Sequence, residues 1–182
     1  IWALPACAVE TKGQLNNLFD VSVIYHIVGR SFIGVIPMRI ASYSDFALRL
    51  LMYAAVKHPA YVTITEVSKA YGISKNHLMK ITHELALAGY LDTLRGRNGG
   101  LRLARPAKEI NVGHVMRLTE TGSALVECFD PATNQCVITP ACKLRHVLHG
   151  ALEAFFAKLE QTTLADLISD KRSLSALYLT KF

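Results

Sequence analysis

The stretch that decides the fold reads TITEVSKAYGISKNHLMKITHELALAG, from Thr63 to Gly89. Its first part predicts a short helix that ends at Tyr71, where Gly72 breaks the pattern. A second, longer helix is expected from Ser74 to Ala88, because its apolar residues recur at helical spacing and a glycine follows. A short helix, a glycine turn and a longer helix in this order are typical of a helix-turn-helix.

The residues after this motif predict a β-hairpin. Tyr90 to Leu94 alternates like a strand, the run RGRNGG from Arg95 indicates a turn, and Leu101 to Ala104 returns as a second strand. A hairpin directly after a helix-turn-helix is a wing. Helices are also predicted before and after this unit, one from a possible N-cap at Ser44 and one around Val112 to Leu118.

A longer helix is predicted from Cys142 onward. Its apolar residues repeat on one stripe, namely Leu144, Val147, Leu148, Ala151, Leu152, Phe155 and Leu159. We expect this stripe to pair two chains into a homodimer, as an inverted-repeat operator requires. Packing of the stripe within its own subunit is the alternative. Thr163 and Asp166 then predict a capping box for one last turn.

The predicted fold is mainly α with a small β-hairpin wing, a winged helix-turn-helix plus a long dimerisation helix. Five segments are expected: an extension at 1–37, the DNA-binding domain at 38–119, a cysteine loop at 120–141, the dimerisation helix at 142–168 and a tail without a strong signal at 169–182. The extension shows no clean period, and Met38 is a candidate native start.

The positive charge is concentrated in one block. Residues 38–126 hold 12 Lys and Arg against 6 Asp and Glu, whereas the flanking segments balance. Such a block favours a polyanion, with nucleic acid the leading partner and an anionic membrane surface the second. The most apolar stretch, Val21 to Pro37, is too short and too polar for a membrane span and lacks the features of a signal peptide, so a cytoplasmic protein is expected.

Two groups of residues are predicted to contact DNA. Those at the start of the longer motif helix are Ser74, Lys75, Asn76, His77 and Lys80, and those in the wing are Arg95, Arg97, Asn98 and Arg102. We expect the two lysines to bind phosphate and the wing tip to enter a minor groove. The alternative is an ordinary solvated helix face.

Three cysteines lie within fifteen residues, at Cys128, Cys136 and Cys142. The spacing lacks the close Cys-x2-Cys pairs usual in structural zinc sites, but three thiolates on an irregular loop can hold an iron–sulfur cluster. Redox thiols, a zinc site or a cluster with a purely structural role remain as alternatives. An iron–sulfur enzyme is disfavoured, because no phosphate loop or nucleophile-base signature is present.

From Met38 to about Ile168 the chain closely resembles the NsrR-type nitric-oxide-sensitive repressors, relatives of the iron–sulfur regulator IscR. The matching stretches are YSDFALRLLMY from Tyr43, YGISKNHLMK from Tyr71, RGRNGGLRLA from Arg95, VECFD from Val126, ITPACKL from Ile138 and TLADL from Thr163. The resemblance implies a repressor of nitric-oxide detoxification genes that leaves its operator DNA when nitric oxide reacts with a 4Fe-4S or 2Fe-2S cluster.

The same resemblance implies the ligands. It assigns Cys128, Cys136 and Cys142 to the cluster, adds Asp45 donated from the other subunit, and makes Arg49 the ionic neighbour of Asp45. Taken alone, the residues favour a simpler role for Asp45, a first-turn carboxylate paired with Arg49. We also expect the cysteine loop to be poorly packed without metal.

Overall fold

The computed structural model describes residues 40–96, 99–120 and 124–179. In chain order the elements are α1 (Ser42–Lys57), α2 (Ile64–Tyr71), α3 (Lys75–Leu87), β1 (Leu91–Leu94), β2 (Gly100–Leu103), α4 (Val112–Thr119), α5 (Lys143–Glu160), α6 (Leu164–Leu167) and α7 (Lys171–Leu179). The predicted fold class is confirmed, since the described part of the chain is mainly helical with one antiparallel hairpin. No helix in these ranges is long and apolar enough to cross a membrane.

The helix-turn-helix forms for the local reasons that its sequence suggested. Thr63 accepts a hydrogen bond from the Glu66 backbone N–H at 3.1 Å while the Glu66 carboxylate accepts from the Thr63 backbone, which completes a capping box before α2. Gly72 ends α2 with a φ of 71°, a left-handed conformation that favours glycine. Ser74, predicted as the first residue of the longer helix, is the N-cap of α3.

The wing is a two-stranded sheet held against the helices. Leu91 lies opposite Leu103 and Leu94 opposite Gly100, within one residue of the predicted strand bounds. Val62, just before α2, exchanges two backbone hydrogen bonds with Leu101, at 2.9 and 2.8 Å. The wing is therefore anchored to the motif and is not a free hairpin.

The core is formed between α1 and α3. Leu50 and Leu51 of α1 have no exposed surface, nor do Leu78, Ile81 and Leu85 of α3. The predicted apolar face of α3 is thus confirmed as buried. Side chains from the wing and from α6 belong to the same buried cluster. The helix-turn-helix and the wing therefore pack on one common core.

The start of α1 differs from its prediction. The helix begins at Ser42, so Ser44 lies inside the first turn, fully buried, and does not act as the N-cap. The preceding Ala41 has no side-chain acceptor, and its backbone N–H instead donates to Glu120 Oε1 at 2.9 Å. A carboxylate from the end of α4 therefore helps to satisfy this helix start, which no local pattern could reveal.

The long helix α5 packs on α4 at its carboxyl-terminal half. A Cβ on Gly113 would lie 2.7 Å from the backbone nitrogen of Glu160, so the two helices meet at a residue without a side chain. Arg117 binds Glu153 and Glu160 at 2.8 and 2.7 Å. The predicted apolar stripe is partly covered: Leu144 and Val147 are about two-thirds exposed and Ala151 is exposed. The other stripe residues, Leu148, Leu152, Phe155 and Leu159, are half-buried.

The tail also differs from its prediction, because it forms the helix α7. Tyr178 is buried, its ring 4.8 Å from Tyr53, and its hydroxyl lies 2.5 Å from that of Tyr71. A helix of two turns with one aromatic anchor has too few apolar residues to show a periodic pattern. The predicted extension at 1–37 lies outside the described residues.

Candidate nucleic-acid interface and metal centre

The predicted DNA-contacting residues of α3 share one exposed surface. Ser74, Lys75, Asn76, His77 and Lys80 are all exposed, opposite the buried apolar face. The Ser74 hydroxyl oxygen accepts from the His77 backbone N–H at 3.3 Å, so this serine also caps the helix. We call these five residues the recognition surface.

The predicted DNA-contacting residues of the wing lie in different environments. Arg95 is exposed beside the turn, whereas Arg102 pairs with Asp92 at 3.4 Å and lies over the Tyr61 ring at 4.8 Å. Arg102 therefore has a structural role in addition to its predicted contact with DNA. Arg97 and Asn98, predicted for the wing tip, lie outside the described residues.

Arg105 connects α3, which carries the recognition surface and which we call the recognition helix, to the wing. The sequence analysis did not single out this arginine. Its guanidinium donates to the backbone oxygens of Gly89 at 2.9 Å and Ala88 at 3.0 Å, and it stacks on Tyr90 at 4.6 Å. These two carbonyls directly follow the last residue of α3, where the helix provides no further backbone N–H to bind them. Basic residues often satisfy helix ends from within the last turn, but this one comes 16 residues after Gly89 and carries no local signal.

Tyr43 joins α1 to α3. Its hydroxyl donates a hydrogen bond to Glu84 Oε2. Burial first, and then the hydrogen bond to Glu84, raise the pKa of Tyr43 to about 12, so the phenol keeps its proton. Neither residue was singled out from the sequence, because their side chains meet only when α1 crosses α3.

The cysteine loop is packed less tightly than the helices and the wing. Cys128, Cys136 and Cys142 are half-buried free thiols, and no described residue of 124–141 is buried. The expectation of a loosely packed loop agrees with this burial. Two single turns of 3-10 helix, Glu127–Phe129 and Thr139–Ala141, provide its local order.

Within the described ranges, no three His, Cys, Asp or Glu side chains converge on a common metal position. The donor set nevertheless fits an iron–sulfur cluster in its chemistry, because three unpaired thiols lie on a loop that can rearrange around a ligand. Phe129, next to Cys128, packs edge-on against His149 of α5 at 5.8 Å. One end of the loop is thus held by the long helix.

Asp45 lies in the first turn of α1, where it accepts a hydrogen bond from Arg49 at 2.8 Å. Both side chains are about two-fifths exposed, so the carboxylate is accessible to a partner molecule. The Arg49 guanidinium also lies 5.8 Å from the centre of the Tyr71 ring, at the end of α2. The predicted ion pair between Asp45 and Arg49 is present.

An exposed recognition surface, a wing and a separate cysteine loop define a winged helix-turn-helix protein of the transcription-regulator class. The family model described as Rrf2, iron-dependent transcriptional regulator, matches residues 40–170. The chain belongs to this Rrf2 family. The prediction of a transcriptional regulator, and not an enzyme, is confirmed by this membership.

Two transcriptional regulators are similar to this chain over most of their length. The chain is 48% identical over 142 residues to the HTH-type transcriptional regulator NsrR of Shouchella clausii, covering 77% of this chain and 95% of that protein. It is 44% identical over 141 residues to NsrR of Bacillus subtilis, covering 77% of this chain and 97% of the relative. The predicted resemblance to NsrR regulators is confirmed by these matches.

Solved structures show the same fold. The oxidized form of Staphylococcus aureus CymR superposes with a TM-score of 0.56 and 26% identity, over 71% of this chain and 95% of that one. IscR of T. potens superposes with a TM-score of 0.52 and 23% identity, over 75% and 88% of the two chains.

Proposed function

We propose that this chain is a homodimeric repressor whose binding to operator DNA is controlled by nitric oxide through an iron–sulfur cluster. The observation that carries the proposal is the joint presence of an exposed, basic recognition surface and three unpaired thiols on a loop without buried side chains. The NsrR relatives support the assignment of the signal.

The recognition surface and the wing are the parts that bind DNA. Lys75 and Lys80 neutralise phosphates, while Asn76 and His77 face base edges and Arg95 contacts the backbone beside the wing tip. Arg97 and Asn98 are assigned to the wing tip from the sequence alone. The exposed stripe around Leu144 and Val147 pairs two copies, because side chains this apolar gain free energy when covered.

The cluster is held by Cys128, Cys136 and Cys142, with Asp45 donated across the dimer and Arg49 as its neighbour. When bound, an iron–sulfur cluster supplies iron that reacts with nitric oxide. Because carboxylate oxygen is a weaker partner for iron than thiolate, Asp45 is the ligand most readily displaced. Without a cluster, Asp45 would pair with Arg49, as the exposed geometry allows.

The test is anaerobic purification followed by a visible spectrum and a titration with duplex DNA, before and after nitric oxide. The duplex is a 40-base-pair sequence (about four helical turns) selected by the wild-type protein from a random pool. Visible bands and DNA affinity that disappear together support the proposal. Cys128→Ala should remove both, while Cys7→Ala, a matched change outside the cysteine loop, should retain them.

A second candidate function uses the cysteines as redox thiols or as a zinc site. It is favoured by the three free, half-buried thiols, because thiolates are both the reactive groups of redox sensors and ligands of zinc. A colourless protein whose DNA affinity responds to peroxide or zinc, but not to nitric oxide, would establish this alternative. If the cluster had a purely structural role, its removal would instead unfold the domain.

A further inference from the structure

The first turn of α1 is joined to both ends of α3 by side chains. Tyr43 donates its phenolic hydrogen to Glu84 near the carboxyl-terminal end of α3. Phe46, less than one turn later, has its ring centre 6.2 Å from that of His77 in the recognition surface. One short segment of α1 therefore touches α3 at a polar and at an aromatic contact.

The start of α1 is also joined to the end of α4. The Ala41 N–H donates to Glu120, the last described residue before 121–123, at 2.9 Å. Asp45 lies between Tyr43 and Phe46 on this turn and points its carboxylate to Arg49. The segment that carries the proposed cross-dimer ligand thus contacts both the end of α4 and the recognition helix.

The two contacts to α3 differ in what they restrain. Packed apolar side chains permit small sliding movements of one helix on another, whereas a hydrogen bond to a carboxylate is short and directional. Glu84 is partly buried and Tyr43 is half-buried, so water competes less for this bond than at an exposed site. The Tyr43–Glu84 bond therefore adds a directional restraint on the orientation of α3 relative to α1, besides the buried apolar packing between the two helices.

We propose that Tyr43 and Glu84 are positioning residues that set the orientation of the recognition helix from the turn carrying Asp45. A displacement of this turn reaches the recognition surface through their hydrogen bond. The nitric-oxide signal in this inference rests on the proposed function, but the effect of the pair on DNA affinity does not.

The first experiment uses full-length protein purified anaerobically, before any exposure to nitric oxide, and the selected 40-base-pair duplex, on the scale of an operator of about four helical turns. Tyr43→Phe removes only the hydroxyl, and Glu84→Gln removes only the charge. Each change should weaken DNA binding about tenfold, the loss expected for a hydrogen bond to a charged group, and the double variant should lose no more. Glu109→Gln, at an exposed site away from α3, is the matched control for the charge, and Tyr61→Phe, which keeps the ring under Arg102, is the control for the hydroxyl; both should bind like the wild type.

The dependence of affinity on salt separates positioning from direct contact. Neither residue binds phosphate in this inference, so both variants should keep the wild-type salt slope. Wild-type affinity in both single variants, or additive losses in the double variant, would contradict the proposal that the two residues position α3 together. If Tyr43→Phe does not fold, Glu84→Gln alone decides the outcome.

The second experiment uses cluster-loaded protein. The ratio of affinities before and after nitric oxide should be smaller in Tyr43→Phe than in the wild type, and an equal ratio would overturn the relay. A wild type that does not respond to nitric oxide would overturn the proposed function alone. A non-additive loss in protein not exposed to nitric oxide would still support the positioning pair in that case.

Discussion

The recognition helix and the cysteine loop have opposite physical characters. In α3, Leu78, Ile81 and Leu85 are completely buried, and hydrogen bonds satisfy both ends of the helix. In the loop, no described residue of 124–141 is buried, and Val137 is 91% exposed. A segment that buries little gains little free energy from its own packing, so a ligand can reorganise it at low cost. The helix proposed to read DNA is tightly packed, whereas the loop proposed to sense nitric oxide buries no described residue of 124–141.

The largest expected effect tests this contrast in stability. Leu85→Ala should lower the free energy of unfolding by about 3 kcal/mol, because a cavity remains where a fully buried side chain was. Val137→Ala should change it by less than about 0.5 kcal/mol, as is usual for an exposed side chain. Urea unfolding of the metal-free protein measures both. Equal losses would show that the loop is packed in solution.

The next effect concerns the connection between α3 and the wing. Arg105→Ala leaves the Ala88 and Gly89 carbonyls without their donor and should weaken DNA binding about tenfold, at an unchanged salt slope. Lys108→Ala removes the same charge from an exposed site nearby and should have a smaller effect. A salt slope that decreases in Arg105→Ala would show instead that this arginine contacts phosphate.

A smaller effect is expected at the first helix of the motif. Thr63→Ala breaks the capping box with Glu66 and should cost about 1 kcal/mol of unfolding free energy. Thr65→Ala makes the same chemical change at an exposed position within α2 and is the control. Calorimetry of both variants checks the prediction, and similar melting temperatures would contradict it.

The smallest effect is a pH dependence within the frame. Hydrogen bonds from the Thr163 side chain and then its backbone lower the pKa of Asp166 below the usual value of an aspartate. A lowered folded-state pKa gives stability that is present above the unfolded pKa and is lost as the pH falls through the folded value. Asp166→Asn should remove this acid-dependent part, measured by unfolding between neutral and acidic pH. An unchanged pH profile would argue against the capping box in solution.

Much of the frame was predictable because its signals are local. The capping residues Thr63, Ser74 and Thr163 lie three residues from their partners, and the glycine stop at Gly72 needs no distant contact. Ser44 was mistaken for a cap because a serine near a helix start carries the same local signal whether it caps or is buried. The three cysteines were recognised as a group, but their spacing along the chain does not determine where a loop places their thiols.

The sequence by itself determined the helix-turn-helix, the wing, the exposed basic face of α3 and the family. These follow from periodicity, capping and turn residues, whose interactions span only a few residues of the chain. Only the tertiary structure decided that Glu120 satisfies the start of α1, that Tyr43 meets Glu84, that Arg105 ends α3 and that Tyr178 joins the core. The partners in these pairs lie 17 to 107 residues apart, and only the packing of the helices brings their side chains within bonding distance.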